Sequence, residues 1–595
     1  MTAQYVIGID LGTTNSVLAY ATLADDAAQV QLLPIPQLVA AQTVESRPSL
    51  PSFLYLAADH EVQNGLFRLP WDQSGRVAVG TAARSLAAEF PERTVSAAKS
   101  WLCHTRVDRR QPILPWQSPE TVPRISPVAA SRQVLEHLLA AWQQAFPDAP
   151  FQQQSIVLTV PASFDASARE LTREAALEAG FPDAFLMLEE PQAATYSWLQ
   201  RCGERWRKIL RPTDRLLVCD VGGGTTDLTL VEAAEDAGEL ALNRAAVGNH
   251  LLVGGDNMDL ALAHYVAGLF AEQGLQLDPW QSVSLWHACR NAKEQLLAAD
   301  GPAQQTISIP GRGRRLIGGL VSVVMERSQA AEILLSGFFP ATTPADRPQR
   351  PRSSGFRELG LPWEADTAIT RHLAAFIASS GNEAPVSHVL FNGGVFRSPL
   401  LRQRLLDQLQ QWFPGRPPVS VDGGDDLDFA VARGACYYGW TRLHGGVRIR
   451  GGAARSCYVG IETAGLALPG IGRPLKALCV AAQGMEEGTA VDVPSDDVGL
   501  VVGEPARFRF FGAAGRKQDR PGDLLTRWTA DELIETDSLE ATLPANEDSE
   551  DGWVPVRFHT QLTELGILEL WCVHAASGRR WKLEFSVRDE LSATS

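Results

Sequence analysis

The sequence predicts a layered α/β fold over most of the chain and a small antiparallel β domain after it, and three observations carry this prediction. Strand-like runs alternate with helix-like runs from Val6 to about His444. An apolar run that ends in Asp and then turns through Gly and Thr occurs twice, as VIGIDLGTTNS and as LVCDVGGGTTD. Beyond residue 454 the runs become short and β-like, as in VPVRFHTQL and GILELWCVH, which favours an antiparallel sheet.

The elements of the α/β part follow from their periodicity and from the residues that flank them. VIGID, SIVLTV, RLLVCDV and HVLFN are short apolar runs bounded by Asp, Pro or Gly, as buried strands are. PASFDASARELTREAALEAG, NMDLALAHYVAGLFAEQG and RSPLLRQRLLDQLQQW have the spacing of amphipathic helices. Strands and helices are therefore expected in alternation.

Changes in composition indicate the domain boundaries. With 595 residues the chain is too long for one ordinary domain. We expect a first domain over 1–444, with an exposed Pro-rich insertion near 338–360. A Gly-rich linker, GGVRIRGGAA, follows over 445–454, and a β-rich domain covers 455–595.

Charge and cysteine usage narrow the class of protein. The net charge of −16 and the lack of a basic stripe argue against nucleic acid or an anionic membrane as partner. No apolar stretch reaches the roughly 18 to 20 residues of a membrane span, so we expect a soluble, cytoplasmic protein. The eight scattered cysteines form no C-x-x-C motif and are expected to be reduced and buried.

The duplicated turn suits the binding of a polyphosphate. Gly-rich turns leave backbone N–H groups free to converge on an anion, and neighbouring Thr hydroxyls add donors. An Asp at the end of the preceding strand can hold Mg²⁺ through its waters. Taken singly, such a turn could be a plain β-hairpin, but two facing turns would hold one triphosphate from both sides. The sequence contains no P-loop motif.

The order of motifs resembles a known family. IGIDLGTTNS, LTVPASF, LEEPQAAT, VCDVGGGTTD, NHLLVGGDNMD, HVLFNGGVFRSPLL and DLDFAVARGACYYG are similar to the ATPase domain of the DnaK-like seventy-kilodalton heat-shock chaperones. The resemblance covers roughly residues 5 to 440 and implies an actin-like, two-lobed ATPase domain. The remainder resembles, less closely, the substrate-binding β-sandwich of that family, and no helical lid is expected after it.

The resemblance implies roles for individual residues. Asp10 and Asp220 would hold Mg²⁺ through water, and Lys99, Glu190, Asp227 and Thr225 would serve catalysis. Lys99 would contact the γ-phosphate and the attacking water, although outside this family context it would be taken for a surface helix lysine. The expected nucleotide-binding residues are Gly12, Thr13, Thr14, Gly222, Gly223, Gly224, Thr225, Lys293, Gly393, Gly394, Arg397 and Asp428, the last of which would open the following helix.

One wall of the expected nucleotide site departs from the family. Arg290 stands where the family typically has a Glu that binds the ribose, and Glu294 and Leu297 also replace residues typical of many members. Arg290 and Glu294 are four positions apart on a predicted helix. They form either an ordinary surface ion pair or part of a rebuilt ribose contact.

The resemblance implies an ATP-hydrolysing, chaperone-like protein that uses ATP/ADP and Mg²⁺ and binds unfolded or specific client polypeptide. It allows J-domain and nucleotide-exchange co-chaperones as further partners. Two alternatives stay open on the sequence: a non-catalytic interaction module that responds to nucleotide, and an actin-superfold metabolite kinase.

Overall fold

The computed structural model divides the chain into two compact units, Met1–Arg448 and Ile449–Ser595. The division falls inside the segment 445–454. The structure describes residues 3–87, 89–104, 107–164, 166–236, 239–248, 251–311, 320–349, 364–380, 385–421, 427–451, 453, 456–462, 475–486, 488–501, 505–513, 516, 518–529, 532–535, 539–542, 553–563 and 567–586. No helix among them is long and apolar enough to cross a membrane.

The first lobe of unit Met1–Arg448 is built on a mixed sheet. Its central strand, Tyr5–Asp10, runs parallel to Ser155–Val160 and antiparallel to Asn15–Thr22. In order across the sheet, the strands are Leu186–Glu189, Ser155–Val160, Tyr5–Asp10, Asn15–Thr22 and Gln31–Leu32, with Leu50–Pro51 also paired to Asn15–Thr22. Smaller sheets of this lobe comprise Ile35–Ala40 with Thr43–Arg47, and Val77–Val79, Leu54–Leu56 and Thr94–Val95.

The second lobe repeats this arrangement around the second copy of the motif. Arg215–Val221 runs parallel to His388–Asn392 and antiparallel to Thr226–Asp236. Across the sheet the strands of this unit are Val419–Ser420, His388–Asn392, Arg215–Val221, Thr226–Asp236 and Glu239–Val247. A separate hairpin pairs Gln304–Pro310 with Leu320–Glu326. The two copies of the motif therefore occupy equivalent strand–turn–strand positions in two lobes.

Helices cover both sheets, and each lobe has its own apolar core. Several begin with clear signals: Ser126 caps the helix that starts at Pro127, and Asp278 and Gln281 form a capping box at the start of the helix Pro279–Leu296. The helices are Asp59–Gln63, Thr81–Leu86, Ala98–Trp101, Pro127–Ala145, Ala166–Glu178, Glu190–Cys202, Trp206–Ile209, Gly255–Glu272, Pro279–Leu296, Arg327–Phe338, Ile369–Ser379, Pro399–Trp412 and Ala430–His444.

The helices Glu190–Cys202 and Ala430–His444 approach each other unusually closely. A Cβ added at Gly434 would lie 1.6 Å from the carbonyl oxygen of Ala193. A Cβ at Gly8 would lie 2.2 Å from the backbone nitrogen of Cys436, so the same helix also packs tightly on the central strand of the first lobe. Only glycine fits at these two contacts.

Unit Ile449–Ser595 consists, among its described residues, of antiparallel strands. One sheet contains Leu524–Leu525, Leu475–Ala481, Ser456–Glu462, Phe510–Ala513 and Ile534–Glu535 in that order. A second contains Thr489–Asp492, Trp553–Leu562, Ile567–His574 and Arg580–Ser586, with Val498–Val501 also paired to Trp553–Leu562. Pro505–Phe508 pairs with Leu539–Thr542, and Ile449–Arg450 is a further short strand. Apolar residues of both larger sheets, such as Val480 and Phe558, share one core.

The prediction of an exposed insertion over 338–360 is wrong at its start. Phe338 and Phe339 are buried in the core of the second lobe, and Thr342 is only 8% exposed. The side-chain amide of Gln408 both accepts from the backbone N–H of Thr342 and donates to its carbonyl, at 3.0 and 2.8 Å. These two hydrogen bonds satisfy the buried backbone N–H and C=O groups of Thr342, which lies in no helix or strand that could pair them. Residues 350–360 lie outside the described part.

Candidate functional site

A cleft of about 390 Å³ lies where the two Gly-Thr turns meet. All of the predicted site residues line it except Gly224 and Asp227. Those that do are Asp10, Gly12, Thr13, Thr14, Lys99, Glu190, Asp220, Gly222, Gly223, Thr225, Lys293, Gly393, Gly394, Arg397 and Asp428. Residues from across the sequence thus converge on one cavity.

The two turns are in direct contact. A Cβ at Gly223 would lie 2.2 Å from Oγ1 of Thr14, and one at Gly224 would lie 3.2 Å from Cγ2 of Thr13. The second turn is closed by a hydrogen bond of 2.9 Å from the N–H of Gly222 to the carbonyl of Thr225. Gly224 therefore packs against the first turn, which explains why it does not line the cleft.

The carboxylates of the two motifs occupy matching places. Asp10 ends its strand beside Thr159, whose hydroxyl lies 3.4 Å from the carboxylate. Asp220 accepts a hydrogen bond of 2.7 Å from the side-chain amide of Asn392. Asp227 is the cross-strand partner of Asp220, is 3% exposed, and accepts from the hydroxyl of Ser163 at 2.5 Å.

Lys99 is buried and hydrogen-bonded to Glu190. Only 7% of Lys99 is exposed, so the alternative of a surface lysine is wrong. The short helix Ala98–Trp101 follows Ala97, whose φ of 53° lies in the left-handed region that costs a non-glycine residue energy. This turn carries Lys99 into the cleft.

The cleft carries more negative than positive charge around Lys99. Burial and, to a smaller extent, the nearby Glu190 together raise the pKa of Asp10 to about 7, against the opposing effect of Lys99. Burial likewise raises the pKa of Glu190, Asp220 and Asp227. Burial works against the charged form of Lys99, but Glu190 and Asp10 outweigh it and raise the pKa of the ammonium group. Lys99 balances only part of the charge of these four acids, so a further cation would stabilise their ionised forms.

Arg290 does not pair with Glu294, so of the two alternatives the ordinary surface ion pair is wrong. Arg290 is 6% exposed and donates to Asp259 at 2.8 Å and to Asp256 at 2.5 Å. Glu294 instead lies 3.8 Å from Arg84. The reason is packing, since the helix Gly255–Glu272 lies against Pro279–Leu296 and places its first acidic residues beside Arg290.

Lys293 joins the same charged group. Its ammonium group donates to the carbonyl of Gly255 at 2.9 Å and lies 2.6 Å from Asp259. Lys293 and Arg290 both line the cleft. This wall therefore presents two cations whose charges are balanced by two buried acids, Asp256 and Asp259, that also line the cleft.

The opposite wall is formed by the residues after His388–Asn392. Gly393 has a φ of 85°, and a Cβ there would lie 2.3 Å from the carbonyl oxygen of Val221, so the position requires glycine. Arg397 forms an ion pair with Asp428, and its side chain is 55% exposed. Asp428 precedes the helix instead of opening it, because the helix begins at Ala430 with Phe429 at its N-cap.

Sequence reasoning missed several residues of the site. Ser163, Asn392, Asp256 and Asp259 hold predicted residues in place. Asn392 had a usable signal, since it is the last residue of a predicted strand and precedes two glycines. Ser163 lies in the motif LTVPASF, and Asp256 and Asp259 lie in NHLLVGGDNMD, but no local pattern in these motifs indicates which residues they contact.

Comparison with known proteins supports the resemblance drawn from the motifs. Residues 71–339 match the family model described as Hsp70 protein. A chaperone protein HscA homolog of Colwellia psychrerythraea is 29% identical over 49% of this chain and 41% of its own length. HscA of an Enterobacter species is 30% identical over 44% and 38%. The chaperone protein DnaK of Thermosipho melanesiensis is 27% identical over 52% and 43%.

The match of residues 71–339 implies a two-lobed, actin-like fold, which agrees with the two similar sheets of unit Met1–Arg448. Over the matched regions the chain is similar to the Hsp70 chaperones, which agrees with the resemblance drawn from the motifs. The matched region spans only about two fifths of the length of these curated relatives.

Proposed function

We propose that unit Met1–Arg448 binds and hydrolyses ATP and that the chain is a chaperone-like protein. The observation that carries this proposal is the buried contact of Lys99 with Glu190 in a cleft bounded by two Gly-Thr turns. A charged pair is costly to bury, and here it lies where a terminal phosphate would be held. The alternatives of a non-catalytic module and of a metabolite kinase are not favoured by the relatives.

Phosphoryl transfer to water needs positioned groups and charge stabilisation rather than covalent help from the protein. The backbone N–H groups and hydroxyls of Thr13, Thr14 and Thr225 supply donors for the phosphates. Lys99 supplies a cation at the γ-phosphate, where negative charge must be stabilised in the transition state. Glu190 and Asp227 are acceptors that can orient the attacking water.

The acids of the cleft suit Mg²⁺. Asp10 and Asp220 would hold the ion through water, since carboxylate oxygens and water are the ligands that Mg²⁺ prefers. Among the described residues, no group of three His, Cys, Asp or Glu side chains is placed to bind a metal directly. Bound Mg²⁺ would neutralise charge on the phosphates. The raised pKa of both acids supports the fit, because their ionised forms lack a sufficient counter-charge without it.

The nucleoside would lie between the two walls of the cleft. Arg397 and Asp428 with Gly393 and Gly394 would face the base, and Lys293 would face the ribose. Arg290 takes the place of the family's acidic ribose ligand and offers hydrogen-bond donors there.

We further propose that 455–595 is the domain that binds client polypeptide. Its two antiparallel sheets share one core, as in a β-sandwich, and their edges suit an extended peptide that adds a strand. Unfolded or specific client polypeptide, with J-domain and nucleotide-exchange co-chaperones, would be the partners.

The proposal is tested by phosphate release from ATP and Mg²⁺ with the full chain, with and without a reduced, unfolded polypeptide. We expect slow release that Asp220→Asn abolishes and that Asp26→Asn, at an exposed acid, leaves unchanged. Nucleotide binding without any turnover in the native chain would instead support the non-catalytic module.

A further inference from the structure

A second cavity, of about 410 Å³, adjoins the nucleotide cleft. Asn15 and Arg290 line both cavities. The other ionisable side chains that line the second cavity are Arg47, Arg84 and His287, and none of the described lining residues is acidic. The cavity therefore presents a positive surface directly beside the place proposed for the nucleotide.

The arginines retain hydrogen-bonding capacity toward this cavity. Arg84 lies 3.8 Å from Glu294, beyond hydrogen-bond distance, and its guanidinium group has no hydrogen-bond acceptor among the described residues. Arg290 uses Nε and one terminal nitrogen for Asp259 and Asp256, which leaves its other terminal nitrogen for a ligand. Each acid that balances these arginines lies outside the cavity wall.

His287 adds a neutral donor. Burial, together with the charges of Arg290 and Arg84, lowers the pKa of His287 to about 4. Its ring makes no hydrogen bond within the described part of the chain and packs against Trp286, with ring centroids 5.0 Å apart. An uncharged imidazole has one N–H to donate and adds no charge of its own to the arginines.

We propose that this second cavity binds a phosphoryl group, held by Arg84, Arg290 and His287, next to the nucleotide. Arginine side chains from two different elements suit a tetrahedral dianion. The guanidinium of Arg84 can donate two parallel hydrogen bonds to phosphate oxygens, and the remaining terminal nitrogen of Arg290 can donate to another. The phosphoryl group is either free inorganic phosphate or a phosphate carried on a ribose hydroxyl of the nucleotide. A phosphate carried on the ribose rests on the proposed function, whereas the binding of free inorganic phosphate does not.

The first experiment titrates inorganic phosphate into the full chain by calorimetry. The chain is saturated with Mg²⁺ and a non-hydrolysable ATP analogue, so that the γ-phosphate position is filled. The same titration is repeated without nucleotide. We expect Arg84→Gln to raise the phosphate dissociation constant about tenfold or more, since a charge-assisted hydrogen bond is lost. Arg47→Gln, at an arginine of the same cavity wall that is already paired with Glu45 at 3.0 Å, should weaken phosphate binding by less. Arg76→Gln, at an exposed arginine outside the cavity, should leave it unchanged.

The second experiment compares ADP with ADP that carries a 3′-phosphate on the ribose. If the phosphate is carried on the ribose, ADP with the 3′-phosphate should bind at least about tenfold more tightly than ADP. Arg84→Gln should remove this difference and leave the affinity for ADP unchanged. Phosphate binding without this advantage identifies free phosphate as the ligand.

The inference is overturned if neither ligand binds at millimolar concentration, or if Arg84→Gln and Arg47→Gln bind both as the native chain does. A failure of ADP to bind would contradict the proposed function alone, because the titration without nucleotide still reports on the second cavity.

Discussion

Replacing Lys99 by alanine separates the two roles that the structure gives to this side chain. The Lys99 and Glu190 side chains are only 8% and 11% exposed. Removing one partner of a buried ion pair typically costs about 3 to 5 kcal/mol of folding stability. Glu190 can limit this cost by taking up a proton, since burial already raises its pKa. We therefore expect a loss of about 1 to 3 kcal/mol near neutral pH that shrinks as the pH falls and the carboxyl becomes protonated.

The catalytic role has a separate magnitude. Loss of one preorganised donor to a developing charge lowers turnover by about 100- to 1,000-fold. We expect Lys99→Ala to lower single-turnover phosphate release by this amount and to change the ATP dissociation constant by less than about threefold. Lys208→Ala, at an exposed lysine of the same unit, is the matched control.

The double variant Lys99→Ala/Glu190→Gln distinguishes the two effects. It removes the uncompensated carboxylate, so thermal unfolding should recover most of the lost stability. Phosphate release should stay low, because the cation at the γ-phosphate is still missing. Native turnover in Lys99→Ala, or recovery of turnover in the double variant, would refute the assignment of Lys99.

Three further predictions concern the rest of the first unit. Gly434→Ala should lower the free energy of unfolding by about 1 to 3 kcal/mol by forcing two helices apart, whereas Gly268→Ala, which meets no atom within 4 Å, should be neutral or stabilising in chemical denaturation. His137 is buried, and its pKa is lowered from 6.5 to about 4. The unfolded chain therefore binds a proton at His137 before the folded chain does, and the free energy of unfolding should fall by about 3 kcal/mol as the pH drops from 6.5 toward 4. His137→Gln should flatten this part of the stability–pH curve, and His60→Gln, at an exposed site, should not. Arg397→Ala should raise the ATP dissociation constant about three- to thirtyfold in calorimetry, and an unchanged constant would place the base elsewhere.

Local patterns predicted the strands and the turns that build the cleft. The strands Tyr5–Asp10 and Arg215–Val221 coincide with apolar runs of the sequence, because a buried strand needs such a run and a Gly-rich turn ends it. Once both turns join neighbouring strands in equivalent sheets, Asp10 and Asp220 must occupy equivalent places. Asp10 and Asp220 converge because the two sheets have the same topology, and the duplicated motif allowed this to be predicted from the sequence.

Partners from distant parts of the chain were not predictable in the same way. The spacing rule for helix pairs compares Arg290 only with residues of its own helix. Its actual partners, Asp259 and Asp256, precede it by 31 and 34 positions and reach it through the packing of a second helix. Ser163 and Asp227 likewise come from different lobes, so that no local pattern relates them.

The charge of the cleft connects these contacts with the proposed activity. Folding brings Asp10, Glu190, Asp220 and Asp227 together around Lys99, and burial raises the pKa of all four acids. Such a cluster lowers the stability of the folded state when it is empty, since like charges in a poorly solvated cleft repel. A ligand that carries its own divalent cation relieves this repulsion, while the donors of the two turns and Lys99 meet its phosphates. The arrangement therefore favours Mg²⁺-bound nucleotide over either component alone, and nucleotide and Mg²⁺ should each increase the affinity for the other.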